Sequence, residues 1–276
     1  MKVLTKENYD KAMPYLAEVN INNLFARTVV EHKIQGEIYV DNVENPKTFY
    51  IIHPYGMTLL LGESKNEKFN KSFKEYVLSV NKKRSNDEWM QAFPDSWHIE
   101  LEKLFGSDLI TSNKKTHDLE QQNVEINTRV NFMFDRNVYV SKRKINSSLD
   151  INIVRTNKQM LNTMNGSVVP EYFWENENDF LENGVGFSLF YKGRLAATAF
   201  SSFIQDNKLE LGIETITEFR GMGFAEQVCI ALIDYCLDNQ LEPIWACRLG
   251  NVGSYKLAKK LGFEPSIMVP YYRLKS

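Results

Sequence analysis

The stretch Lys208–Gln240, KLELGIETITEFRGMGFAEQVCIALIDYCLDNQ, decides how the rest of the chain is read. Leu209, Leu211, Ile213 and Thr215 alternate with Glu210, Gly212, Glu214 and Ile216, the period of two that a strand imposes. Arg220-Gly221-Met222-Gly223 breaks the alternation, and its two glycines can take backbone angles closed to other residues. Beyond it Ala225, Val228, Cys229, Leu232, Ile233, Cys236 and Leu237 recur at helical spacing and make one apolar face. The stretch is a strand, a glycine turn and a helix. Such a turn leaves backbone N–H groups converging at a helix N-terminus, with the helix dipole behind them. That suits an anionic group, most often a phosphate.

The turn lacks the Lys-Ser/Thr ending of a nucleotide P-loop, which argues against ATP or GTP hydrolysis. Glu226 stands where a dinucleotide fingerprint needs its third small residue, and no ribose-binding acid can be placed on a following strand. Arg220, Gly223 and Ala225 do fill the fixed positions of R/Q-x-x-G-x-G/A, so the turn resembles the signature of the GNAT superfamily of N-acetyltransferases. A second segment carries the resemblance further. Glu242–Cys247 reads as a short buried strand, followed by a helix with Ser254, Leu257, Ala258 and Leu261 on one face and Gly262 as its stop. Asn251, Ser254, Leu257, Gly262 and Phe263 match the second GNAT signature. The resemblance covers Ile151 to the C-terminus, a little under half of the chain.

The resemblance implies an α/β (α+β) fold whose C-terminal half is a mixed, mostly antiparallel sheet flanked by helices. It implies acetyl-CoA as acetyl donor, a primary amine as acceptor and no metal. Gly221, Met222, Gly223, Phe224 and Ala225 would hold the pyrophosphate through their backbone, with Arg220 adding charge. Glu226 suits the helix dipole but repels phosphate, so its side chain is expected to point outward. Thr215, Ile216 and Thr217 would flank the pantetheine arm, one N–H polarising the thioester carbonyl, and Asn251 and Ser254 would touch the same arm. Transfer needs a neutral amine, a base for its proton and an acid for the departing thiolate. Here the chain departs from many relatives: Ala258 stands at the usual tyrosine acid and Ala246 at a common base position. Tyr255, one helical turn away, is the substitute acid, and Glu210 or Glu214 the base. Tyr172 and Trp174 open the helix that covers the acceptor cleft in this family and are candidates for lining it.

The N-terminal half shows helical stripes at Tyr9–Leu16 and Ile21–Val29, then three strand-like runs from Glu37 to Glu63 that read as an antiparallel meander. Phe69–Val80 follows as an amphipathic helix. Trp89–Phe93 and Trp97–Phe105 read as two short helices broken at Pro94, Thr111–Asn123 as a polar loop, and Arg129–Val140 as a strand. No family signature falls in this half. It is either a structural or substrate-covering subdomain or a degenerate second copy of the same fold. The polar run Ser141–Asp150 marks the boundary, giving domains 1–145 and 146–276. This organisation looks like that of a bacterial two-part GNAT subgroup.

A net charge of −2 gives no general attraction to nucleic acid or anionic membrane, and no apolar run reaches the length of a membrane span. Three cysteines make no disulfide framework and suit a reducing cytoplasm. His32, His53, His98 and His117 lack metal-ligand spacing and read as surface or loop residues. Lys82-Lys83-Arg84 and Ser141–Lys144 read as solvated basic runs. Two competing functions remain open: a non-catalytic acyl-CoA-binding or regulatory protein, favoured by Ala246 and Ala258, and a tandem GNAT-like transferase drawing on aminoacyl-tRNA, disfavoured by the charge. The acceptor itself, a small molecule or a peptide amine, is not legible.

Overall fold

The computed structural model describes residues 1–276 apart from 79–83, 85, 112–122 and 146–147. Two compact units emerge: Met1–Val130 with Arg248–Gly250 and Ile267–Ser276, and Asn131–Cys247 with Asn251–Ser266. The first unit takes in the C-terminal residues from Ile267 as well as those up to Val130.

In the first unit the order is β1 (Lys2–Val3), α1 (Met13–Leu16), α2 (Leu24–Val30), β2 (Glu37–Val40), β3 (Thr48–Ile52), β4 (Met57–Gly62), α3 (Glu67–Val77), β5 (Glu88–Phe93), α4 (Ser96–Phe105), β6 (Leu109–Thr111) and β7 (Val124–Phe134), the last continuing into the second unit. The strands β2, β3 and β4 form the antiparallel meander, and β5 adds to β4 in parallel. Both β3 and β4 are buried on both faces, which is why TFYII and MTLLL read as continuous apolar runs. Phe69, Phe73, Tyr76 and Val77 of α3 recur at helical spacing and pack with Trp97, Leu101 and Phe105 of α4 over Tyr50 and Leu60.

Five expectations for this half are corrected. Arg129–Val140 is not one strand: β7 ends at Phe134 and a helix spans Arg136–Lys142, because the Asp135 side chain caps it by accepting the Asn137 and Val138 N–H groups. Trp89, Met90 and Phe93 lie in the strand β5, where parallel pairing with β4 overrides their local pattern. His53 is fully buried; burial pushes its imidazole down to about 3, and its Nδ1 accepts the Tyr55 N–H at 3.1 Å. His98 is half-buried against Tyr272, Nδ1 to hydroxyl 3.0 Å. Arg84 is buried and donates to the carbonyls of Val77 (2.5 Å), Leu274 (2.8 Å) and Lys275, the desolvation of its guanidinium being offset by three backbone acceptors. Lys82, Lys83 and His117 lie outside the described residues, as does most of the expected polar loop.

The second unit runs α5 (Arg136–Lys142), β8 (Ile151–Arg155), α6 (Lys158–Leu161), α7 (Glu177–Asn183), β9 (Gly186–Tyr191), β10 (Arg194–Gln205), β11 (Lys208–Thr215), α8 (Phe224–Asp238), β12 (Glu242–Arg248), α9 (Val252–Lys260) and the start of β13 (Phe263–Leu274), which from Ile267 belongs to the first unit. Strands β8 to β11 pair antiparallel in sequence order, and β11 pairs β12 in parallel. The order β-α-α-β-β-β-α-β-α-β thus occurs twice, with the same pairing senses each time. The first unit is a second copy of the fold. The helix expected from Pro170 is a separate one-turn element, Pro170–Tyr172, ahead of α7. Pro265 and Pro270 both lie inside the single strand β13. In the basic run, Lys142 and Lys144 are exposed, while Arg143 pairs with Asp234.

Candidate acyl-donor site

The organising stretch folds as β11, a 3-10 turn at Thr217–Phe219, the glycine turn and α8. Gly221 (φ +83°) and Gly223 (φ +81°) both take left-handed angles, and a Cβ at either would meet no atom within 4 Å. The two glycines leave the backbone of the turn exposed and open to an approaching group. Gly223 is the N-cap of the 15-residue α8, and no side chain caps it. The first-turn N–H groups of Phe224, Ala225 and Glu226 precede any intrahelical partner. Glu226 does not point outward as expected: it is buried and ion-paired with Lys260, which neutralises its charge at this helix start. Met222 is exposed.

Beside this turn the sheet opens. β11 and β12 pair only from Lys208↔Glu242 to Glu210↔Ile244. Both strands continue, β11 to Thr215 and β12 past Cys247, without a shared ladder. The first unit has no such opening. There β4 and β5 pair at every position from Met57↔Trp89 to Leu61↔Phe93, and Asn66 caps α3 by accepting the Phe69 N–H at 3.1 Å. A Cβ at Gly62 would sit 2.1 Å from the Lys47 carbonyl oxygen, so the backbone there is covered, not open.

Register assigns which β11 groups face the gap. The Ile216 N–H donates to the Ala196 carbonyl of β10 at 2.9 Å, so it points away from the gap. Alternation then directs Leu211, Ile213 and Thr215 toward the gap. Ile216 is corrected from a backbone contact to a residue lining the pocket below, and Leu211 and Ile213 are the gap-facing residues that sequence reading missed. The strand parity could have found them. The Thr215 N–H lies 3.2 Å from Glu214 Oε1, and the Thr215 carbonyl accepts from Arg220 Nε at 3.1 Å. Arg220 also pairs with Glu214 at 3.3 Å, so its side chain folds back on the strand end instead of extending to the glycine turn. Thr217 begins the 3-10 turn and its carbonyl accepts the Arg220 N–H.

The carboxylates separate. Glu214 accepts from the N–H groups of Ser167 (2.9 Å) and Val168 (3.0 Å) as well as Thr215 and Arg220. It pins the 165–169 loop, and Gly166 passes so close that a Cβ there would lie 2.5 Å from the carboxylate. Glu210 is buried and stands at the last β11–β12 pair, where the two strands part. A small pocket of about 20 Å³ lies among Val168, Pro170, Ala197, Phe200, Glu214 and Ile216.

The remaining candidates are held elsewhere. Asn251 caps α9 through the Ser254 N–H (3.2 Å), and the Ser254 hydroxyl accepts from Trp245 Nε1 (3.1 Å). Tyr255 is half-buried with its ring edge-on to Phe132, 5.5 Å between centroids. Trp174 is half-buried, donates to the Ser201 carbonyl at 2.7 Å and packs against Phe180. Tyr172 is exposed. Ala258 is fully buried. Burial pushes the thiols of Cys229 and Cys236 up, the latter to about 12, so neither is a nucleophile. Among the described residues no cluster of His, Cys, Asp or Glu could hold a metal ion, and no helix is long and apolar enough to cross a membrane.

A family model for GNAT acetyltransferases matches residues 16–272, nearly the whole chain. The chain belongs to the GNAT acetyltransferase family. Its GNAT relatives include an uncharacterized N-acetyltransferase, YdfB of Bacillus subtilis (strain 168), 24% identical over 264 residues, 96% of this chain and 95% of that one. Among solved structures, a GCN5-related N-acetyltransferase-like protein from Streptococcus suis 89/1591 superposes with a TM-score of 0.70 at 18% identity, covering 98% and 99% of the two chains. A tandem GNAT protein from the clavulanic acid biosynthesis pathway superposes at 0.61 with 10% identity, covering 99% and 97%. These likenesses extend over both units, in keeping with a GNAT fold present twice.

Proposed function

We propose that the chain transfers an acetyl group from acetyl-CoA to the primary amine of a small molecule or peptide, by direct attack and without a metal. The observation that carries this is the parting of β11 from β12 beside an uncapped, glycine-led helix. A linear amide-bearing arm can lie along the freed strand edge while a pyrophosphate meets the first turn of α8. Acetyl-CoA supplies an activated acyl group there. Gly221–Ala225 would hold its pyrophosphate through the backbone, and Leu211, Ile213 and Thr215 would flank the arm. The Thr215 N–H, turned from Glu214 to the thioester oxygen, would stabilise negative charge developing on it. Asn251 and Ser254 support α9 at the far edge of this site.

Glu210 is the base in this reading, because it lies at the apex of the gap whereas the acceptor positions of Glu214 are occupied by the loop. It would take the amine proton directly or through water. Tyr255 remains the candidate acid for the thiolate. Coenzyme binding is assigned to the second unit, in a reducing cytoplasmic setting, with no part for nucleic acid.

Calorimetric titration of acetyl-CoA into the native protein and Gly223→Glu tests the donor site. Gly193→Glu, at a hairpin with the same open space and φ of +78°, controls for backbone strain. The expected result is binding lost in Gly223→Glu alone. Failure of the native protein to bind would overturn the reading. Glu210→Gln should then lower thiol release with an amine substrate about 100-fold with acetyl-CoA affinity unchanged. Binding without turnover on any amine would support the acyl-CoA-binding alternative instead.

A further inference from the structure

Glu214 stands next to the end of β11, and its two carboxylate oxygens are divided between two sets of donors. Oε1 lies 3.2 Å from the Thr215 backbone nitrogen and 3.3 Å from Arg220 Nη2. Oε2 accepts from the N–H groups of Ser167 (2.9 Å) and Val168 (3.0 Å), with the Ser167 hydroxyl at 3.4 Å. All of these residues belong to the second unit. Gly166 lets the loop come this close, since a Cβ there would lie 2.5 Å from Oε2 and 2.6 Å from Cδ.

The loop that Oε2 holds covers the small pocket floored by Thr198 and Phe200 and walled by Asn165, Val168, Pro170 and Glu214. At about 20 Å³ that pocket has room for a water molecule and none for an organic amine. The groups that hold Oε1 sit on the other side, at the donor site. The Thr215 N–H is the one placed for a thioester oxygen, and Arg220 leads directly into the glycine turn. Arg220 is 60% exposed, so its pair with Glu214 is weak and readily exchanged for a phosphate. Once both donors turn away, Oε1 is a half-buried carboxylate oxygen stripped of them, which favours rotation of the side chain toward water.

We propose that Glu214 is a latch that couples the donor site to acceptor access. With the donor site empty, its carboxylate holds the 165–169 loop down over the pocket. When Thr215 and Arg220 turn to acetyl-CoA, the carboxylate swings out, the two loop N–H groups lose their acceptor and the loop lifts. The coupling rests on the proposed donor site, whereas the closed latch rests on the hydrogen bonds alone.

The test uses native protein and Gly166→Ala. Gly166 lies outside the left-handed region, so alanine suits its backbone, and the added methyl displaces the flexible end of Glu214 from the loop without removing a charge. Hydrogen–deuterium exchange at the Ser167 and Val168 amides reads the latch, and calorimetry reads acetyl-CoA affinity. Exchange in the native protein should rise at least about fivefold at saturating acetyl-CoA. Gly166→Ala should exchange fast without donor and bind acetyl-CoA about fivefold more tightly, because binding no longer has to open the latch. Glu214→Gln, with half the acceptor capacity, should also exchange faster without donor; unchanged exchange there would show that Glu214 is not the latch. Acetyl-CoA binding that leaves native exchange unaltered, or that is no tighter in Gly166→Ala, overturns the coupling and leaves the donor site standing. Absence of acetyl-CoA binding by the native protein overturns the donor reading and the coupling together, while fast exchange in Gly166→Ala would still establish the closed latch.

Discussion

Two residues, half-buried Glu214 and buried His53, carry measurable consequences of their environments. Glu214 anchors the 165–169 loop through two backbone N–H groups, and Glu214→Gln halves the acceptor capacity of that carboxamide while removing the charge. Stability should fall by about 1–3 kcal/mol, read from denaturant midpoints. An unchanged midpoint together with abolished turnover would transfer the base assignment from Glu210 to Glu214. His53 offers a pH test. Its folded pKa of about 3 lies below the unfolded 6.5, so the unfolded chain binds the extra proton between those values. Stability from His53 is full above pH 6.5 and declines by about 1.4 kcal/mol per unit as pH falls toward 3. Glu88 has the opposite sign. Burial raises its carboxyl despite hydrogen bonds from Tyr50 and Tyr76, so its protonation offsets part of the loss at low pH. His53→Asn should flatten the pH profile of the melting temperature in that window; an unaltered slope would show that His53 is not its source.

At the scale of elements, the same strand-helix-strand device appears twice with different outcomes. In the second unit the glycine-led, uncapped N-terminus of α8 meets a gap between β11 and β12. In the first, continuous β4–β5 pairing closes the sheet and the Asn66 side chain occupies the N–H that a phosphate would need. One acetyl-CoA per chain is therefore expected, and calorimetric stoichiometry near two would contradict it. Asn66→Ala should cost about 1 kcal/mol of stability by removing the cap, and should leave stoichiometry at one because the strands stay paired.

The whole chain depends on its last ten residues. Tyr272 and Leu274 of β13 are buried in the first unit's core, Tyr272 pairs with Met90 of β5, and the Leu274 and Lys275 carbonyls satisfy Arg84. Deleting Ile267–Ser276 should remove at least about 3 kcal/mol of apolar burial from the first unit and leave the Arg84 guanidinium short of acceptors. Thermal unfolding followed by near-ultraviolet circular dichroism should show loss of tertiary signal. A truncated chain melting at the native temperature would mean that β13 is dispensable to that unit.

The sequence by itself determined the local architecture of the donor site. Alternation at Leu209–Thr215, positive-φ glycines at 221 and 223 and the helical apolar face beyond them are nearest-neighbour effects, written in residues that touch in sequence. It also determined the family, through spacings inside those elements. What lay beyond it depends on partners distant in the chain. The extended form of Trp89–Phe93 comes from β4, the burial of Arg84 from carbonyls about 190 residues away, and the Glu226 pairing from Lys260. Glu210 and Glu214 occupy the same strand face and are alike in sequence. Only the loop that packs on Glu214, and the point at which β12 leaves β11, give the two carboxylates different surroundings.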